Sequence, residues 1–200
     1  MVTVSVITPT LGRESLADML GRLLPQLGEG DEVLLVGEGP RPRAKEIADS
    51  FKSNAVRYWE EGPFFNWGNP QRNSAIKQAK GSRLVFIDDD DSIHATGIAT
   101  IKAVSAGFPG RPIMFRMLHK GRTLWSNQVV RFGNVSGQMF IAPNVPGRLG
   151  TWSSAYAADY DFITSTLALH PKGKASVVWR EEMPIIQGFA GPRPIGPGLV

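Results

Sequence analysis

The 200-residue chain contains no cysteine, which removes disulfides, thiolate metal sites and cysteine nucleophiles together. With only three histidines, any bound metal would have to rest mainly on oxygen. No apolar stretch approaches the roughly 18 residues that a membrane-spanning helix requires; the longest, such as Leu84-Val85-Phe86-Ile87, are strand-sized. No secretory leader is expected, because Met1 runs directly into Val2-Thr3-Val4-Ser5-Val6-Ile7 without a basic start, an apolar segment or a small-residue cleavage site. A cytoplasmic location is the expectation. Basic residues exceed acidic ones by 22 to 18, for a formal charge of +4 and a pI near 9.6. They are scattered, without the run of about five or six that marks a nucleic-acid arm, so nucleic acid is not the expected partner.

What is present suits one domain. Hydrophobic residues make up 42% and charged residues 20%, ordinary proportions for a chain that builds a core. A continuous apolar-rich run from Val2 to Thr8 reads as a strand. Leu16, Met19, Leu20, Leu23, Leu24 and Leu27 then recur at helical spacing behind Ser15, a capping residue type. Val33 to Val36 is a second strand. Ala44, Ile47, Ala48 and Phe51 mark a second helix, and a short strand is expected near Val56 and Tyr58. A Gly-, Pro- and aromatic-rich loop, Gly62 to Pro70, leads to a helix carrying Ile76 and Ala79 and stopped by Gly81, before the strand Leu84 to Ile87. Such alternation predicts an α/β fold with a mostly parallel central sheet flanked by helices.

Beyond about residue 110 the pattern is more irregular and mixed. Ile113 to Leu118 and Thr123-Leu124-Trp125 flank Lys120-Gly121 as a hairpin would, and Val129 to Phe132 and Met139 to Ala142 read as short strands. A helix is expected from Asp159 to Leu169 and a strand at Val177-Val178-Trp179. The segment 188–200, dominated by Gly and Pro, reads as a loop, flap or disordered tail.

The chemistry concentrates at Asp88-Asp89-Asp90-Asp91, directly after the apolar strand. In open α/β sheets ligands bind beyond the carboxyl ends of strands. Adjacent carboxylates repel one another, and a hard cation such as Mg²⁺ or Mn²⁺ relieves that repulsion through oxygen ligation. Extended backbone would point Asp88 and Asp90 one way and Asp91 another. One element earlier, Trp67-Gly68-Asn69-Pro70-Gln71-Arg72-Asn73 opens a helix, with Pro70 suited to its first turn and Arg72 able to pair with phosphate.

Taken in order, Val4-Ser5-Val6-Ile7-Thr8-Pro9-Thr10, Gln71-Arg72-Asn73-Ser74-Ala75-Ile76, Ala79-Lys80-Gly81 and Val85-Phe86-Ile87-Asp88-Asp89-Asp90-Asp91, followed by Ala158-Asp159-Tyr160-Asp161-Phe162, resemble the family 2-type inverting glycosyltransferases of the GT-A fold. The likeness covers about residues 2–165 and is similar in compactness to short stand-alone bacterial or phage versions. It implies a GT-A, Rossmann-like domain over 1–187, with a nucleotide-sugar-binding half (1–91), an acceptor-binding half (92–187) and the tail 188–200.

The resemblance also implies roles. Asp88 and Asp90 form the Asp-x-Asp pair, Asp89 lies within the donor site, and Asp90 or Asp91 holds Mn²⁺ or Mg²⁺ against the donor diphosphate. Thr8 and Pro9 line the nucleoside, Arg72 lies near the base or diphosphate, and Asp159 is the catalytic base. The favoured donor is a UDP-sugar and the acceptor an unidentified hydroxyl. Two departures stand out. The second strand ends in Gly37-Glu38-Gly39 in place of an acidic pair, leaving Glu38 as the nucleobase or ribose contact, and Ala158 replaces an acid before Asp159. Trp152, just upstream of that aspartate, and Asp161 are the candidate acceptor contacts. Asp159 also stands where a helix N-cap would. Two rival readings keep the fold: nucleotidyl transfer onto a sugar phosphate, for which no early triphosphate loop is present, and a non-catalytic nucleotide-sugar-binding module.

Overall fold

The computed structural model describes residues 1–119 and 121–186; the tail 188–200 and Lys120 of the expected hairpin turn lie outside the described residues. Its elements run β1 (Val4–Thr10), α1 (Ser15–Leu23), β2 (Glu32–Glu38), α2 (Pro42–Ser50), β3 (Val56–Glu61), α3 (Asn69–Gln78), β4 (Arg83–Phe86), β5 (Ser92–Ile93) and α4 (Gly97–Gly107). They continue with β6 (Ile113–Phe115), β7 (Met117–His119), β8 (Arg122–Leu124), β9 (Phe140–Pro143), α5 (Ala158–Ala168), β10 (Val178–Arg180) and β11 (Ile185–Ile186). Seven strands form one sheet in the order β10-β6-β9-β4-β1-β2-β3. All neighbours in it pair parallel except β9, which is antiparallel to both β4 and β6.

Strand periodicity explains why both faces of this sheet are dry. Val4, Val6, Val33, Leu35, Val85 and Ile87 point to one side, where they meet Leu16, Met19, Leu20 and Leu23 of α1, Ala44 and Ile47 of α2, and Ile98 and Ile101 of α4. Ile7, Leu34, Val36, Leu84 and Phe86 point to the other, onto Ala75 of α3 and Phe162, Ile163 and Leu167 of α5. Alternate side chains thus feed two separate apolar layers. Buried charge is matched as well: Asp31 takes the Val4 amide at 2.9 Å and the Lys102 ammonium at 2.8 Å. Glu32 accepts from Ser5, Arg57 and Lys80, and these bonds hold its carboxyl below the ordinary range against the opposing effect of burial.

Several sequence expectations are corrected. Helix α4 had not been anticipated, although Ile98 and Ile101 are spaced to reach the core. Val129–Phe132 is not a strand. That loop is organised by the buried side chain of Asn134, whose amide donates to the carbonyls of Asn127 (3.0 Å) and Val129 (2.7 Å) while its oxygen accepts the Ser126 amide (3.0 Å). The expected hairpin is divided: β6 joins the main sheet, whereas β7 and β8 pair as a separate ribbon. The division falls at Arg116, whose amide donates to the carbonyls of Arg180 and Glu182. Ser15 begins α1 but makes no side-chain cap bond.

Candidate functional site

The chain order β1, β2, β3 runs outward to one side of β1, and β4 then returns to the other side. The carboxyl ends of β1 and β4 therefore flank the point where the winding reverses, the crevice in which open α/β sheets bind ligands. Asp88–Asp91 follow β4 at this edge. They do not continue as extended backbone: the Asp91 amide donates to the Asp88 carbonyl at 3.0 Å, and the Asp88 amide donates to Asp91 Oδ2 at 3.0 Å. The expected alternation of Asp88 and Asp90 against Asp91 is lost in this turn, and the four carboxylates take different partners.

Asp89 is buried and turned toward the loop after β1. It accepts the Thr10 hydroxyl at 2.8 Å, the Leu11 amide at 3.0 Å and the Arg13 guanidinium at 2.6 Å. Asp88 accepts from Arg72 and from the Gln138 amide, the latter at 2.9 Å. Asp90 lies 3.6 Å from Arg13. Asp90 and Asp91 border a cleft of about 240 Å³ that also exposes Ser15, Asp18, Arg22 and Ser92. Among the described residues no group of three metal-binding side chains converges. A cage of protein ligands is therefore absent there, whereas one or two carboxylates completed by phosphate oxygens and water is a usual arrangement for Mg²⁺.

Arg72, in the second turn of α3, is the hub. Besides Asp88 it donates to the Trp67 carbonyl at 2.8 Å and to Asn69 Oδ1 at 3.2 Å, and its guanidinium lies 4.6 Å above the Trp152 ring. Asp159 is the second residue of α5, whose cap position is Ala157, and is not itself the cap. Burial pushes its carboxyl up from the ordinary aspartate range; hydrogen bonds from the Tyr160 amide, the Ser136 hydroxyl and the Gly137 amide, with the Arg72 charge, pull the other way. Ser136 also bonds Gln138, which bonds Asp88. Arg72, Asp88, Gln138 and Ser136 are thus hydrogen-bonded in series across α3, the end of β4 and the turn before β9, and Asp159 of α5 lies beside Ser136.

Other sequence candidates fall differently. Thr8 is fully buried within β1, so of the Thr8-Pro9 pair only Pro9 reaches the edge, packed against Gly68 so closely that a Cβ there would come within 2.5 Å of the Pro9 Cβ. Glu38 is buried, with its carboxylate accepting from the Phe64 amide, the Phe65 amide (2.8 Å) and Gln71 Nε2 (2.8 Å). It fastens the end of β2 to the 62–68 loop. Asp161 accepts the Ser153 hydroxyl at 2.7 Å.

Trp152 is corrected most clearly. It is 5% exposed, stacked on Phe162 at 5.0 Å with the Arg72 guanidinium over its ring, and its backbone is clamped by Asn73 through bonds of 2.8 and 2.9 Å. No open face remains for an acceptor. Replacing Trp152 by Ala should therefore cost roughly 3–5 kcal/mol of stability, read from urea denaturation. A variant as stable as the parent would return the ring to a surface role. Sequence reasoning missed Arg13, Ser136 and Gln138, none of which lies in a run or motif that distinguishes it before folding.

Residues 5–101 match the family described as glycosyl transferase family 2. No curated protein sequence matches the chain significantly. Among solved structures, Staphylococcus aureus TarS 1–349 aligns with a TM-score of 0.73 at 17% identity, covering 93% of this chain and 60% of that one. The same fragment in complex with UDP-GlcNAc aligns at 0.75 and 16%, covering 99% and 62%. Longer TarS aligns at 0.72 and 15%, covering 93% and 36%. The chain thus spans about three-fifths of the TarS 1–349 length. Residues 5–101 thus resemble family 2 glycosyltransferases, and the fold shared with the TarS structures is GT-A. No helix among the described residues is long and apolar enough to cross a membrane.

Proposed function

We propose that this protein transfers a sugar, with inversion, from a nucleoside-diphosphate sugar, with UDP-sugars favoured, to an acceptor hydroxyl. The observation that carries this reading is the hydrogen-bonded series Arg72–Asp88–Gln138–Ser136, which runs from the winding reversal to the side of Asp159 at the start of α5. It unites an anion-oriented edge with a carboxylate whose proton affinity is raised, the two requirements of direct displacement.

In that reaction Asp159 accepts the proton of the acceptor hydroxyl as its oxygen attacks the anomeric carbon. The bond from that carbon to the diphosphate oxygen breaks and its electron pair leaves with the diphosphate. One base and one displacement invert the anomeric centre. Burial suits Asp159 to this work, because a carboxylate with raised pKa holds a proton better than an ordinary aspartate. Arg72 compensates negative charge at the donor end and keeps Asp88 oriented. Asp90 and Asp91 would hold a divalent cation, which when bound supplies Lewis-acid stabilisation of the diphosphate.

The UDP preference rests on the family resemblance and on the TarS fragment being in complex with UDP-GlcNAc. Calorimetry with UDP in Mn²⁺ and in excess chelator tests donor and metal together. Affinity is expected to fall at least about tenfold in chelator, because the unneutralised aspartates repel the diphosphate. Equal affinity in both would remove the metal, and binding of another nucleoside diphosphate in place of UDP would replace the base.

A further inference from the structure

Exposed aromatic residues gather beside this site and have no part in it. In the 62–68 loop, Phe64, Phe65 and Trp67 are 49%, 68% and 61% exposed, and Tyr156, before α5, is 85% exposed. Trp67 and Tyr156 meet edge to face with ring centroids 6.2 Å apart. The contact joins the segment that leads into α3, which carries Arg72, to the segment that leads into α5, which carries Asp159.

The loop is secured by its backbone. Glu38 takes the Phe64 and Phe65 amides, Arg72 takes the Trp67 carbonyl, and the Asn69 amide closes onto the Asn66 carbonyl at 2.9 Å. Phe65 and Trp67 adopt φ of 50° and 47°, a left-handed region unfavourable for large side chains. Large aromatic side chains are thus held outward by the same residues that organise the donor edge, where an ordinary turn would use Gly or Asn.

We infer that Trp67 and Tyr156 form a stacking platform for an uncharged glycan acceptor, whose pyranose rings lie on the aromatic surface while a terminal hydroxyl reaches Asp159. This deepens the transferase reading and rests on it for the acceptor role. The electron-rich face of an aromatic ring attracts the polarised C–H groups of a sugar ring. Asn66 and Ser154 adjoin the rings in sequence and supply hydrogen-bonding groups for hydroxyls. Residues 62–68 and 149–158 contain no charged side chain, so the segments that carry the rings offer no Lys or Arg of their own to a polyanion such as nucleic acid.

The test is calorimetric titration of the wild type, Trp67→Ala, Tyr156→Ala and Trp67→Phe, each with and without UDP and Mn²⁺. The probes are cellohexaose, chitohexaose and maltohexaose as neutral glycans, oligo-dT as the polyanion and phosphatidylglycerol vesicles as the lipid surface. At least one neutral hexaose should bind the wild type and lose about fivefold or more in affinity in either alanine variant. Trp67→Phe should restore most of that loss, and UDP affinity should stay within about twofold throughout. Absence of binding by every hexaose, equal hexaose binding by the alanine variants, or Trp67-dependent binding of oligo-dT or vesicles would overturn the platform. Failure of the wild type to bind UDP while hexaose binding still depends on Trp67 would sink the donor reading and leave the platform standing.

Discussion

Asp159→Asn should leave the protein folded and able to bind UDP, yet lower sugar transfer by roughly two to four orders of magnitude, the usual contribution of a general base. The substitution keeps the shape of the side chain and one acceptor oxygen for the Tyr160 amide, which meets Asp159 at 2.7 Å. It removes the carboxylate charge and with it the ability to take a proton. Stability adds a second readout with a definite sign. Burial raises the Asp159 pKa, so ionisation disfavours the folded state; the favourable contribution is complete below the unfolded pKa and is lost as pH rises through the folded one. The asparagine variant should therefore melt no lower than the parent near neutral pH, with any advantage closing as the solution is acidified. The parent's transfer rate should decline on the acid side as Asp159 protonates, at a higher pH than for an ordinary aspartate. Near-parental transfer by a folded Asp159→Asn protein would dismiss it as base and turn attention to Asp161. Loss of UDP binding would show that donor and acceptor work are not divided in this way.

Asp90→Ala should act on the other half of the reaction, reducing Mn²⁺-dependent UDP affinity by about tenfold or more and reducing turnover with it. A ligand shared by ground state and transition state affects binding and chemistry together. Asp89 is the control that separates this from general damage. Its carboxylate is committed to Thr10, Leu11 and Arg13, so Asp89→Ala should be recognised by a lower melting temperature, whereas Asp90→Ala should melt near the parent and fail in calorimetry. If Asp90→Ala binds UDP as the parent does in Mn²⁺, Asp90 is not a metal ligand and Asp91 becomes the residue to replace.

Much of the N-terminal half was legible from sequence because its signals are local. Val4, Val6, Val33, Leu35, Val85 and Ile87 belong to short apolar strands, and the leucines of α1 recur at one helical face, so periodicity reports their partners before any contact is known. The C-terminal half resisted such reading. Val129 and Phe132 look like strand residues, yet the Asn134 side chain supplies the local hydrogen bonds and leaves both apolar side chains exposed. Trp152 and Trp67 show the same limit in opposite directions. Both stand near motif residues, and only the packing of Phe162 and Arg72 on one, with the solvent exposure of the other, decides which ring is core and which is surface.

By itself the sequence determined the α/β alternation, the absence of thiol chemistry and the stretch of four aspartates after a buried strand, because composition and period-2 patterning are properties of contiguous residues. Only the tertiary structure decided how those aspartates divide. The turn at Asp88–Asp91 sends Asp89 to Arg13 and Asp88 to Arg72, and long-range closure brings Gln138 and Ser136 between Asp88 and Asp159. Hydrogen bonds act over about 3 Å, so a network joining α3, the end of β4 and the turn before β9, with Asp159 beside it, exists only once the sheet has brought those segments together.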